Sequence, residues 1–186
     1  DVSLHCRSAP RPHRMNEPRA TLLHTYRAMQ DAGLNAGASG NVSVRGGGRS
    51  GQRFLVTPSG RPPAACDESS LVEVDLDGHF EGPLEPSSEW RLHRDIYAHF
   101  PDAQAVLHAH APFATALSCH RRGIPPFHYM IARFGGGDIR CAQYALFGSQ
   151  ALSDAVVAAL QGRSGCLMAS HGMVVHGRDL AQGLAQ

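Results

Sequence analysis

The histidines carry the most specific chemical signal in this chain. In LHAH (107–110), His108 and His110 sit two residues apart. Successive side chains on a strand point to opposite faces, so in a strand these two imidazoles share one face and can grip one ion. Ala105, Val106 and Leu107 ahead of them supply a stiff apolar base. A third imidazole, His171 of SHG (170–172), ends another apolar run and precedes a glycine that permits close approach. Three histidines with a fourth position open are the pattern of a catalytic zinc rather than a structural one. Such a site also needs a separate proton carrier.

Three further segments suit an anion such as phosphate. SGN (39–41) offers backbone N–H groups, with Gly40 free to adopt unusual dihedrals and the Asn41 amide beside it. PSG (58–60) offers Ser59 and the Gly60 N–H. Ser87 and Ser88 stand where a helix begins, and free N–H groups and the helix dipole favour an anion there. Each segment alone is an ordinary turn or cap. Their joint appearance beside three histidines argues for a phosphate cradle. Glu89, directly after the serine pair, is the natural proton carrier. His24, His79, His93, His99, His120 and His176 carry no comparable pattern and read as ordinary surface or core residues.

Composition limits the alternatives. The 186 residues suffice for one domain with a sizeable core. With 42% apolar and 18% charged residues the chain reads as globular. A net charge of +1 gives no long-range pull toward nucleic acid or an anionic membrane. No run approaches the ~20 apolar residues of a membrane span. Five scattered cysteines without a C-x-x-C pair argue against a disulfide framework and point to a reducing, cytoplasmic setting.

The elements that must position these residues follow from periodicity. Residues 1–14, with three arginines and two prolines, read as a disordered tail, and Met15 stands where a natural start would fall. Residues 15–186 read as a single domain. Leu22, Leu23, Tyr26 and Met29 mark a helix over 17–31 that Gly33 ends. Val42 and Val44 alternate with Ser43 and Arg45 as in a strand. RGGGRSGQ (45–52) reads as a hairpin loop leading into a strand over 54–60, and 70–78 as another strand closed by an Asp-Gly turn. The clearest helix spans 87–100, capped by Ser87 or Ser88, with Trp90, His93, Ile96, Tyr97 and Phe100 on one face. Residues 103–111 form a strand ended by Pro112. Helices follow over 114–120 and 150–160, a loop at 135–137, a buried strand over 166–172 and a helix from 179. This alternation implies an α/β domain.

The segments SGNVSVR, TPSG, PSSEWRLH, AVLHAHAP, IPPFHYMIARFGGGDIRCAQYALFG and SHG, in this order and spacing, resemble the class II aldolase/adducin family from about residue 17 onward. That resemblance implies a three-layer α/β/α sandwich with a mostly antiparallel central sheet. It implies a homotetramer with active sites at subunit interfaces and one Zn2+ per subunit, held by His108, His110 and His171. It assigns Glu89 as catalytic acid/base and Gly40, Asn41, Ser59, Gly60, Ser87 and Ser88 as phosphate-binding residues. It makes Tyr129 a tyrosine that reaches the neighbouring subunit's site to act on the aldehyde oxygen, and Phe147 an aromatic lining that site. The implied activity is reversible cleavage of a ketose 1-phosphate similar to L-fuculose 1-phosphate into dihydroxyacetone phosphate and an aldehyde. Two departures stand out. The family continues beyond Gln186 with a long helix and a tyrosine-bearing tail, so the C-terminal part of the domain reads as missing, and the RGGGRSG loop is longer than usual and expected at the rim of the site.

Three rival functions fit parts of this pattern. Sugar-phosphate epimerases and methylthioribulose-phosphate dehydratases use the same scaffold and the same histidines. A non-catalytic adducin-like module would lack the metal ligands, and all three histidines and Glu89 are present. A three-histidine zinc hydrolase would have no use for the serine pair or the SGN turn.

Overall fold

The computed structural model describes residues 17–46 and 52–186. The tail expected over 1–14, Met15 and most of the loop expected over 45–52 lie outside the described residues.

A seven-stranded sheet forms the middle layer, built from β1 (Asn41–Arg45), β2 (Arg53–Val56), β3 (Val72–Asp75), β4 (Ala105–Ala109), β5 (Cys141–Ala142), β6 (Gly165–Met168) and β7 (Gly172–Gly177). Its order is β3-β2-β1-β4-β7-β6-β5. Every neighbouring pair is antiparallel except β5 with β6. The helices are α1 (Glu17–Asp31), α2 (Trp90–His99), α3 (Pro112–Ser118), α4 (Gln150–Ala159) and α5 (Leu180–Ala185). On one face of the sheet, Leu92 and Ile96 of α2 and Leu152 and Val156 of α4 pack on Phe54, Val74, Val106 and Val174. On the other, Leu22, Tyr26 and Met29 of α1 and Leu180 of α5 pack on Val42, Leu55, Leu107 and Val175. The result is the three-layer α/β/α sandwich with a mostly antiparallel sheet that the family resemblance implies. No helix of the described residues is long and apolar enough to cross a membrane.

Several boundaries differ from the sequence-based expectation. α2 begins at Trp90 with Glu89 as its N-cap, and neither serine caps it. Ser87 is tied back to the sheet instead, its N–H donating to the Thr57 carbonyl at 3.0 Å. Pro112 starts α3 as well as ending β4, because its missing N–H costs nothing in a first helical turn. The strand expected over 166–172 stops at Met168. Residues 169–171 turn the chain into β7, with Ser170 at φ 55, a left-handed conformation unusual for a residue bearing Cβ. The hairpin of β1 and β2 closes where Gly46 N–H donates to the Arg53 carbonyl at 2.6 Å, the end of β1 opposite Asn41. The loop expected at the site's rim therefore leaves and rejoins the sheet at that distant end.

Candidate active site

β4 is the spine of the site. His108 is fully buried within it, and His110 follows just past its end. The two rings lie on one side, with centroids 4.8 Å apart. His171 reaches them from the β6–β7 turn, 4.8 Å from the His108 ring and 5.0 Å from that of His110. All three pairs are near perpendicular, so the ring edges converge. One ring nitrogen from each histidine lies within 4.8 Å of the others, a spacing that suits a common cation.

Each ligand candidate is held from behind. His108 Nδ1–H donates to the Met173 carbonyl at 2.8 Å, which leaves Nε2 to face the site. The His110 backbone N–H donates to Asn35 Oδ1 at 2.9 Å. The His171 backbone N–H meets Ser118 Oγ at 3.3 Å, and the Ser170 N–H donates to the Ser118 carbonyl at 3.0 Å. One α3 serine thus fixes the left-handed turn that aims His171.

Glu89 stands over the trio. Its Oε2 lies 3.0 Å from His108 Nε2 and its Oε1 lies 3.5 Å from His171 Nε2. Oε1 is buried with no hydrogen-bond partner. Three ring nitrogens around one point, with a buried carboxylate beside them, suit a divalent cation, so the residues fit the metal that the sequence implies.

The electrostatics follow from burial and proximity. Burial is the largest single influence and pushes the Glu89 carboxyl up, but the His108 charge and hydrogen bond, the His171 charge and the Asn41 amide together bring it down to about 2. Burial pushes His108 down, yet the Glu89 carboxylate beside it raises it overall. Burial, then the His108 charge, hold His171 down at about 4 and lower His110 as well. Glu89 and His108 thus favour each other's charged forms. A cation held by His108 would compete with a proton for the same nitrogen.

An open cavity of about 400 Å³ adjoins this centre, within the range of small-molecule sites. Gly40, Asn41, Ser59, Gly60, Ser87 and Ser88 all line it, together with Glu89, His110 and His171. The backbone brings the three anion segments together. Ser59 N–H donates to the Glu85 carbonyl at 3.0 Å, and Pro58 bridges to Pro86, which sets PSG beside the serine pair. Gly40 sits at φ +72, and a Cβ there would meet the Asn35 side chain at 2.3 Å. The Asn41 amide is turned toward Glu89, donating from Nδ2 to Oε2 at 3.0 Å.

The two aromatics differ. Phe147 borders this chain's own cavity, beside Tyr144, while Tyr129 does not line it and is 80% exposed on a 3-10 helix (Tyr129–Phe134). Asn35, Ser118 and the Met173 carbonyl support the ligands without any motif to mark them. His93, given an ordinary role by the sequence, lies fully buried against Asn41. Its signal was positional, since it falls four residues after Glu89 and so on the same side of α2.

The chain belongs to the class II aldolase and adducin family: the model of its class II aldolase and adducin N-terminal domain matches residues 20–186. It is a class II aldolase, an aldehyde-lyase of the metal-dependent kind. Among similar proteins is the 5-methylthioribulose-1-phosphate/5-deoxyribulose-1-phosphate aldolase of Rhodospirillum rubrum, 48% identical over 162 residues, covering 87% of this chain and 72% of that one. The L-fuculose phosphate aldolase of Escherichia coli K12 is 45% identical over 160 residues, covering 86% and 72%. A solved L-fuculose 1-phosphate aldolase superposes with a TM-score of 0.86 at 35% identity, covering 91% of this chain and 79% of that one.

Proposed function

We propose that the chain reversibly cleaves a ketose 1-phosphate into dihydroxyacetone phosphate and an aldehyde, with one Zn2+ per subunit held by His108, His110 and His171. One juxtaposition carries the reading: Glu89 and the three convergent ring nitrogens adjoin a cavity lined by the SGN, PSG and serine-pair segments. A bound divalent cation supplies Lewis-acid polarisation of the substrate carbonyl. Gly40, Asn41, Ser59, Gly60, Ser87 and Ser88 hold the phosphate, so binding energy remote from the C–C bond orients the reacting carbons. Asn41 contributes through whichever amide hydrogen Glu89 does not take. Glu89 carries the proton at the carbon next to the carbonyl, returning it to the three-carbon fragment in cleavage and removing it in condensation.

Tyr129 of the partner subunit acts at the aldehyde oxygen, and Phe147 borders the aldehyde end. A homotetramer with sites at its interfaces is supported by exposed apolar residues: Phe113, Phe127, Tyr129, Tyr144, Leu146 and Phe147 are each more than half exposed in the single chain, and Tyr144 and Phe147 border the cavity. A cytoplasmic setting accords with free thiols at Cys66, Cys119, Cys141 and Cys166.

Two substrate assignments divide the reading. An L-fuculose 1-phosphate-like sugar is favoured by the superposition at TM-score 0.86. A 5-deoxy or 5-methylthio ribulose 1-phosphate is favoured by the relative at 48% identity. Incubation with each, with and without a chelator, separates them by the aldehyde released. The same assay should include ribulose 5-phosphate. An epimer or a dehydrated product in place of an aldehyde would refute the aldol reading.

A further inference from the structure

β1 and α2 meet along a seam that is polar although it is buried. Asn41, Ser43 and Arg45 share one face of β1, and Glu89, His93 and Tyr97 face them from α2 and its N-cap. The steps match. Two residues of strand advance about 6.7 Å, and four residues of helix about 6 Å. The contacts interleave as a result. Asn41 Nδ2 lies 3.0 Å from Glu89 Oε2, and Asn41 Oδ1 lies 2.5 Å from His93 Nε2. His93 Nδ1 lies 2.6 Å from Ser43 Oγ, which lies 2.7 Å from the Tyr97 hydroxyl. The Arg45 guanidinium covers the Tyr97 ring 4.8 Å from its centroid.

Only one assignment of hydrogens satisfies this chain. An ionised carboxylate accepts and cannot donate, so Asn41 must present its NH2 to Glu89 and its oxygen to His93. His93 must then donate from Nε2–H. Burial pushes His93 down to about 3, so the ring is neutral and Nδ1 is an acceptor. Ser43 donates to Nδ1, and Tyr97 donates to Ser43. Every donor points the same way, toward Glu89. Without the His93 N–H, the amide of Asn41 has nothing to fix which of its ends faces the carboxylate.

We infer that His93 is a positioning residue for Glu89: its Nε2–H fixes the Asn41 amide so that Nδ2 anchors Glu89 Oε2, leaving Oε1 directed at the site. This rests on Glu89 being the proton carrier of the reading above. Bonds aligned in one direction strengthen one another, and buried at both ends they hold the carboxylate more firmly than one amide contact could.

Two measurements test the inference. The first needs no activity: imidazole 15N spectra of the full metal-free chain should show His93 as the neutral Nε2–H tautomer from about pH 5 to 8. The Nδ1–H tautomer, or a charged ring across that range, overturns the inference. The second compares His93→Phe with His93→Gln, whose amide can still donate to Asn41. The probe is deuterium exchange from solvent into dihydroxyacetone phosphate by the metal-loaded full chain, which requires no particular aldehyde. His93→Phe should lower kcat for exchange about 10²-fold with KM little changed, the scale of a misplaced catalytic group, and His93→Gln should recover most of that loss. Parental exchange in His93→Phe, or no recovery in His93→Gln, overturns it. If His93→Phe does not fold, the His93→Gln rate and the tautomer decide. Absence of exchange in the parent would refute the proposed function, and the tautomer would still decide the role of His93.

Discussion

Glu89 Oε2 stands 3.0 Å from His108 Nε2, a carboxylate poised against a ring whose other nitrogen is committed to the Met173 carbonyl. The same nitrogen is one of the three that would hold a divalent cation. The proposed division of labour makes the histidines hold and Glu89 move the proton. Glu89→Gln should therefore keep its metal by elemental analysis and lose about 10²–10⁴-fold in rate, the scale of a general acid–base group. Turnover close to that of the parent would remove Glu89 from its role.

His110 offers the cleanest test of the metal centre, because it lies beyond the strand and is only partly buried. His110→Ala should lose both metal and activity while the sheet stays intact by circular dichroism. Treatment of the parent with a chelator should abolish activity, and readdition of zinc should restore it. Full metal occupancy in His110→Ala would contradict the ligand set.

Gly40 and Gly60 both line the cavity at positive φ, yet their surroundings differ. A Cβ at Gly60 meets nothing within 4 Å, whereas one at Gly40 meets Asn35 at 2.3 Å. Gly60→Ala should cost about 1–2 kcal/mol, the strain of a left-handed residue with Cβ. Gly40→Ala should cost more and should also weaken metal binding, since it displaces the Asn35 side chain that holds the His110 backbone. Denaturant titration and metal competition read the two effects separately. Equal losses in the two variants would argue against Asn35 as the link.

The buried histidines give stability a pH dependence whose sign is fixed. Folded His93 titrates at about 3 against an ordinary 6.5. Between those values the unfolded chain carries a proton there that the folded chain does not, so stability rises with pH across the window. His171, held down at about 4, and His110 act in the same direction, while His108, raised by Glu89, opposes them. The urea midpoint of the metal-free chain should fall as pH is lowered from about 7 to 5. His93→Gln should reduce that slope by up to one proton, about 1.4 kcal/mol per pH unit. An unchanged slope would mean that His93 does not stay neutral in the folded protein.

What the sequence disclosed depended on periodicity and local spacing. His108 and His110 were legible because a strand has a fixed alternation, and the helix over Glu17–Asp31 because its apolar stripe is uninterrupted. The polar face of β1 was misleading for the same reason. Asn41, Ser43 and Arg45 alternate with valines as though one face met water, yet α2 covers that face and answers it with His93 and Tyr97. Only knowledge of which helix packs there reveals the match. The turn at Ser170 was hidden because its left-handed residue is a serine, where composition leads one to look for glycine. β7 follows that turn at once and β5 is two residues long, so neither carried enough pattern to be seen.

The β1–β2 hairpin turns at Gly46 and Arg53, while the residue of β1 that touches Glu89 is Asn41. Five residue steps of extended chain separate those ends, about 17 Å. Anything spliced between Gly46 and Gln52 begins and finishes on the side of the sheet remote from substrate. An affinity handle or fluorescent reporter installed there should leave turnover close to that of the parent, which a rate assay of the tagged chain would check, and would give this catalyst a point for tethering to a support.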